Sequence, residues 1–166
     1  LFDSKSVLEN VMFPLTIFSG KTQEEIKERA LFCLRRVNIE EQDNHLFPAE
    51  ISGGMKKRVA IARAIALQPR YLFCDEPNSG LDPQTSIVID NLIKEITLES
   101  DITTLVISHH MNSVMEISDF ISFIHQGQKW WEGSRDDILN SDNQEVVDFV
   151  YASNFMKEVR ENFKKR

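Results

Sequence analysis

A short apolar run, Tyr71-Leu72-Phe73-Cys74, ends in two adjacent carboxylates, Asp75 and Glu76, with Pro77 behind them. A carboxylate at the C-terminal end of a buried parallel strand lies where open α/β sheets bind their ligands. There Asp75 suits Mg²⁺, a hard cation that takes oxygen ligands, and Glu76 suits orienting or deprotonating an attacking water. The bland alternative is an exposed acidic turn. A second segment, Ile51-Ser52-Gly53-Gly54-Met55, stands just before a helical pattern. Its glycines let backbone N–H groups approach an anion, and the helix dipole adds to the attraction; equally, it reads as a loop and a cap. A third, Ser79-Gly80-Leu81-Asp82-Pro83, leads into another helix with Asp82 in the N-cap position. The fourth, Val106-Ile107-Ser108-His109-His110, is an apolar run ending in histidine. His109 can donate a hydrogen bond to a phosphoryl oxygen, although a lone histidine at a strand end is commonly structural.

The elements that must position these residues follow from periodicity. Ser6 with Glu9 has the form of a capping box and opens a short segment carrying Val7, Leu8, Val11 and Met12, which Pro14 is expected to terminate. A second box, Thr22 with Glu25, starts a longer helix with Ile26, Ala30, Cys33, Leu34 and Val37 on one face. Residues 38–50 read as a polar loop. A partly buried helix runs from Ser52 to about Gln68 and stops at Pro69. The runs 71–74 and 103–108 read as strands buried on both faces. Between them lies a helix that starts at Asp82 and turns Ile89, Leu92, Ile93 and Ile96 inward. A helix over 111–117, a hairpin about Gly127 (120–125 and 129–132) and a helical tail with a basic end, Lys164-Lys165-Arg166, complete the order. Solvation accounts for three terminal charges more simply than contact with anionic lipid does.

Composition narrows the class. The chain has 166 residues, with 26 acidic against 19 basic side chains and a net charge of -7, which argues against gripping a nucleic acid backbone. No apolar run approaches the roughly 20 residues of a membrane-spanning helix. Cys33 and Cys74 form neither a disulfide framework nor a metal-ligand spacing and fit a reducing compartment, so a cytoplasmic domain is expected.

In order and spacing, the four segments together resemble the second half of an ATP-binding-cassette (ABC) ATPase. Ile51 to Met55 is similar to the signature motif L-S-G-G-Q. Tyr71 to Pro77 resembles the Walker B strand ending in D-E-P, Ser79 to Asp82 the D-loop, and Ser108-His109 the switch histidine. Arg58 to Ala64 also looks like the family. The resemblance implies an α/β fold of the P-loop NTPase (RecA-like) kind, with an incomplete parallel sheet and a helical subdomain. Residues 1–69 would form the helical subdomain with the signature and its helix, 70–133 the RecA-like core remnant, and 134–166 a C-terminal helical tail. By the same resemblance, Ser52, Gly53 and Gly54 would contact the γ-phosphate of ATP bound on a partner protomer, and Asp82 would sit at the dimer seam. Asp75 would be the Mg²⁺ partner, Glu76 the catalytic base and His109 the γ-phosphate sensor for ATP on the same protomer. Ile51 replaces the usual Leu, Met55 the frequent Gln, and His110 stands where an acidic residue often follows.

No G-x-x-x-x-G-K-[ST] sequence occurs in the 166 residues. The resemblance implies that this loop lies N-terminal to Leu1, so the intact protein would hydrolyse ATP and the chain alone would not. The implied function is the ATP-binding subunit of an ABC transporter, working as a homodimer on membrane permease subunits and peripheral to the inner face of the plasma membrane. The stretch Leu1 to Leu15 and the segment Val147 to Val150 look like ATPases of MCE/Mla-type lipid transporters, with amino-acid or metal-ion importers as alternatives. A non-enzymatic interaction or regulatory module of the same shape is the other reading. Chromosome-organising relatives are disfavoured, since neither long heptad repeats nor a basic surface is evident.

Overall fold

Ser6 and Glu9 exchange hydrogen bonds as a capping box, the Ser6 hydroxyl accepting from the Glu9 N–H and the Glu9 carboxylate from the Ser6 N–H. They open α1 (Val7–Phe18) in a computed structural model that describes residues 1–152. Two units are distinguished, Leu1–Ser108 and His109–Arg166. The division between them follows Ser108.

In the first unit, α1 continues through Pro14 instead of ending there. A proline inside a helix costs about 3 kcal/mol through the lost N–H and the crowded carbonyl four residues back. Val11 and Leu15, on either side of it, are almost fully buried, and each contributes about 1.5–3 kcal/mol by leaving water. Packing outweighs the local penalty. Asn10 is also fully buried, its amide donating to the carbonyls of Phe2, Lys5 and Ser6 and its Oδ1 accepting from the Phe2 N–H at 2.8 Å. It ties the first residues onto the helix.

The Thr22–Glu25 box starts α2 (Gln23–Arg36), which buries Ile26, Ala30, Cys33 and Leu34 as the 3.6-residue spacing predicts. Residues 38–50 hold two single 3₁₀ turns, Glu41–Asp43 and Pro48–Glu50, and a buried Ile39. Next is α3 (Gly53–Ile65), packed against α1 and α2. The Arg29 guanidinium of α2 donates to the carbonyls of Ile65 and Ala66, each at 3.0 Å, and so caps the end of α3.

Strand β1 (Tyr71–Asp75) pairs in parallel with β2 (Thr103–Ile107), in the register Leu72↔Thr104 and Phe73↔Leu105, with α4 (Pro83–Glu99) between them in sequence. The strands are not buried on both faces. Leu72 is buried and Thr104 meets Thr97 of α4, hydroxyl to hydroxyl at 2.6 Å, whereas Tyr71, Phe73, Leu105 and Ile107 are 64%, 73%, 50% and 55% exposed. The reason is topological. Alternation sends odd positions to the face away from α4, and among the described residues of this unit no layer lies on it.

The second unit holds α5 (Met111–Ile117) and the antiparallel hairpin β3 (Phe120–His125) with β4 (Gln128–Ser134), whose turn places Gln126 and Gly127 at positive φ. Then come α6 (Arg135–Leu139) and α7 (Gln144–Val150). Its core joins Ile121, Ile138, Val146, Val147 and Val150 to Tyr151, whose hydroxyl donates to the Leu139 carbonyl. The basic cluster at 164–166 lies outside the described residues. Among the described residues no helix is long and apolar enough to cross a membrane.

Candidate functional site

Ser52 is the N-cap of α3, its hydroxyl accepting the Met55 N–H at 3.2 Å. The capping role is thus real. It does not exhaust the segment, because the first turn of a helix leaves N–H groups outside the intrahelical ladder and adds the positive end of the dipole. Gly53 and Gly54 open that turn at the protein surface. Gly54 has a further reason to be glycine. A Cβ there would stand 2.6 Å from Cγ2 of Thr85 in the first turn of α4. The start of α3 therefore lies directly against the start of α4.

The start of α4 is built by Asp82. Its carboxylate accepts from the Thr85 hydroxyl at 2.5 Å and from the Thr85 N–H at 2.9 Å, and Pro83 occupies the first helical turn without needing a donor. These bonds, the hydroxyl's first, hold the Asp82 carboxyl below the usual carboxylate range. Gly80, just before it, has φ +78°, so the loop turns where a side chain would strain it.

Asp75 ends β1 with its side chain exposed. A carboxylate oxygen there, exposed at a strand end, has the donor chemistry that Mg²⁺ prefers. Glu76 leaves the strand in the left-handed region, at φ +46°. Its N–H still reaches across to the Ile107 carbonyl at 2.9 Å and so extends the pairing with β2. Its carbonyl accepts from the Ser79 N–H at 3.2 Å and from Lys57 Nζ of α3 at 3.0 Å. The loop is anchored further on by Asn78, whose amide donates to the Asp90 carboxylate at 2.7 Å, both side chains being buried.

The first unit thus brings together the helix start at 52–54, the carboxylates 75 and 76 and the loop at 79–82. His109 belongs to the second unit, exposed, with its ring 4.2 Å from that of His110. Sequence reasoning missed Lys57, Asn78, Thr85 and Asp90. Asp90 was detectable, since it interrupts the inward stripe of Ile89, Leu92, Ile93 and Ile96. Lys57 was not, because one lysine of three successive basic residues carries no mark of its reach.

Residues 1–79 match the family described as ABC transporter. Methionine import ATP-binding proteins MetN are similar over nearly the whole chain. That of Mannheimia succiniciproducens is 38% identical over 163 residues, covering 98% of this chain and 47% of the relative. That of Carboxydothermus hydrogenoformans is 39% identical, covering 96% and 48%. Among solved structures, the dimeric cassette MJ0796 in a post-hydrolysis state bound to ADP and Pi superposes with a TM-score of 0.72 at 33% identity, over 81% of this chain and 59% of that one. The fold is that of the ABC ATPase cassettes, a P-loop NTPase fold. Over the part these comparisons cover, the sequence is similar to that of an ABC transporter ATP-binding domain. The chain spans about half the length of the curated relatives it matches. Those relatives are methionine import ATP-binding proteins, which gives the lipid-transporter reading of Leu1 to Leu15 and Val147 to Val150 no support.

Proposed function

We propose that this chain is part of the ATP-hydrolysing subunit of an ABC transporter that imports an amino acid of the methionine kind. The observation that carries the reading is the convergence, within one unit, of the α3 start, the Asp75–Glu76 strand end and the Asp82-capped loop. Glu76 takes a proton from, or orients, the water that attacks the γ-phosphorus of ATP; the bond to the β,γ-bridging oxygen breaks, and ADP, phosphate and a proton result. Asp75 would hold Mg²⁺, which neutralises charge on the β- and γ-phosphates when bound. His109 donates a hydrogen bond to the γ-phosphate. Ser52, Gly53 and Gly54 offer a helix start to the γ-phosphate of ATP carried by a second protomer, and Asp82 lies at the seam of that homodimer. The permease subunits dock on the helices of residues 6–50, which keeps the protein peripheral to the membrane. Residues 1–166 alone are expected to turn over no ATP.

The test is phosphate release by the intact gene product. Glu76→Gln is expected to lower kcat by about two or more orders of magnitude while nucleotide binding persists. Equal turnover in that variant removes Glu76 from its role. Loss of methionine uptake in cells lacking the gene supports the substrate; unchanged uptake with loss of another solute's import reassigns it. An intact protein that neither binds nor hydrolyses ATP would favour the non-enzymatic module.

A further inference from the structure

Glu76 is a residue with a full side chain held in the left-handed region, at φ +46°. L-residues avoid this conformation because Cβ crowds the following carbonyl, and it persists only where the surroundings over-determine it. Three bonds converge on the backbone of this one residue. The N–H donates to Ile107 of β2, the carbonyl accepts the Ser79 N–H, and the same carbonyl accepts Lys57 Nζ. The first belongs to the sheet and the second to the turn itself. The third alone comes from a helix, reaching across 19 positions in sequence from a half-buried lysine. Lys57 lies one helical turn after Gly53, so it couples the glycine segment of α3 to the backbone of the carboxylate-bearing turn.

We propose that Lys57 is a positioning residue for Glu76: by gripping its carbonyl, it fixes the left-handed turn and hence the direction in which the carboxylate leaves the backbone. The inference rests on the hydrolytic reading for its effect on turnover, but not for the grip itself. Lysine suits the task as a cationic donor on a long stem, and a carbonyl already engaged by an N–H keeps a second lone pair for it.

The test uses the intact gene product carrying Lys57→Met, which keeps the stem and loses the donor, and Lys57→Arg, which keeps a donor. In Lys57→Met the Glu76 and Ser79 amides are expected to exchange with solvent about tenfold faster, and in Lys57→Arg within about twofold of the parent rate. Unchanged exchange in Lys57→Met overturns the proposal whatever the activity. For turnover, Lys57→Met lowers kcat about tenfold with KM for ATP within about twofold, and Lys57→Arg recovers most of it. With Glu76→Gln already in place, Lys57→Met costs less than about twofold, because a residue acting through another has nothing left to lose. Full additivity, or a fall in kcat that merely tracks a lower unfolding midpoint, overturns it too. An inactive parent, or a Glu76→Gln protein with full turnover, instead removes the hydrolytic reading, and amide exchange still decides whether Lys57 holds the turn.

Discussion

Replacing Gly54 by alanine places a methyl carbon 2.6 Å from Cγ2 of Thr85, where carbon atoms in contact prefer about 3.5–4.0 Å. Thr85 is not free to turn away. Its hydroxyl and its N–H are both bonded to the Asp82 carboxylate, and giving up a bond to a charged acceptor costs about 1.5–3 kcal/mol. Shifting α3 from α4 instead is overpacking, at about 1–3 kcal/mol. Against this, alanine in a helix gains up to about 1 kcal/mol over glycine, less in the first turn. The net expectation for Gly54→Ala is a loss of about 1–2 kcal/mol. The neighbouring Gly53 is the internal control, because a Cβ there meets only Leu81 Cδ2 at 3.6 Å, an ordinary contact. Gly53→Ala is therefore expected to stay within about 0.5 kcal/mol of the parent. Thr85→Ser deletes the clashing methyl and keeps the hydroxyl that bonds Asp82. In that background the cost of Gly54→Ala should vanish, for a coupling of about 1–2 kcal/mol between the two positions. Urea unfolding of the four proteins of this cycle measures it. If Gly54→Ala is equally harmful with Thr85→Ser in place, the close approach is not what demands glycine, and the reasoning is refuted.

Acid should weaken the fold through its caps. The Asp82 carboxyl is held low first by the Thr85 hydroxyl, Glu9 and Glu25 by the backbone N–H groups of Ser6 and Thr22, and Asp137 by the Ser134 hydroxyl. Their folded values lie below their unfolded ones. The stabilisation is thus complete above the usual carboxylate range near about pH 4 and drains away as pH falls through the lowered values. Unfolding midpoints between pH 6 and 2.5 should show this, with a shallower acid slope in Asp82→Asn; an identical slope counts against the cap. Asn78→Ala strips the buried Asp90 carboxylate of an amide donor and is expected to cost about 2–3 kcal/mol. A cost under about 0.5 kcal/mol in denaturant titration would show that the pair anchors nothing. The exposed apolar face of Tyr71, Phe73, Leu105 and Ile107 should drive residues 1–166, expressed alone, to self-associate. Light scattering should detect this and record its reduction by Phe73→Lys with Leu105→Lys; a well-folded, monodisperse monomer from the parent chain sinks that expectation.

Local chemistry was legible in the residues themselves. Ser6, Thr22, Ser52 and Asp82 announce the helix starts they cap, since an N-cap needs only an oxygen-bearing side chain placed before a periodic apolar run. The hairpin about Gly127 and the inward faces of α2 and α4 follow from spacing in the same way. The order of the four motifs was legible, because spacing along the chain survives whatever the fold does, and three of them, at 52–54, 75–76 and 79–82, fall within the first unit. What failed was each inference that needed a neighbour. Pro14 ought to end a helix by its own geometry, and does not, because α1 packs against α2 and α3 and Val11 and Leu15 are buried. The two apolar runs read as buried strands, yet one face stands open, since burial depends on which layers are present and not on how apolar a residue is. Tertiary structure alone decided that Gly54 must clear Thr85, that Glu76 turns left-handed, and that Lys57 reaches its carbonyl. Those facts depend on distances between segments 19 or more residues apart, which the covalent chain leaves free until packing sets them.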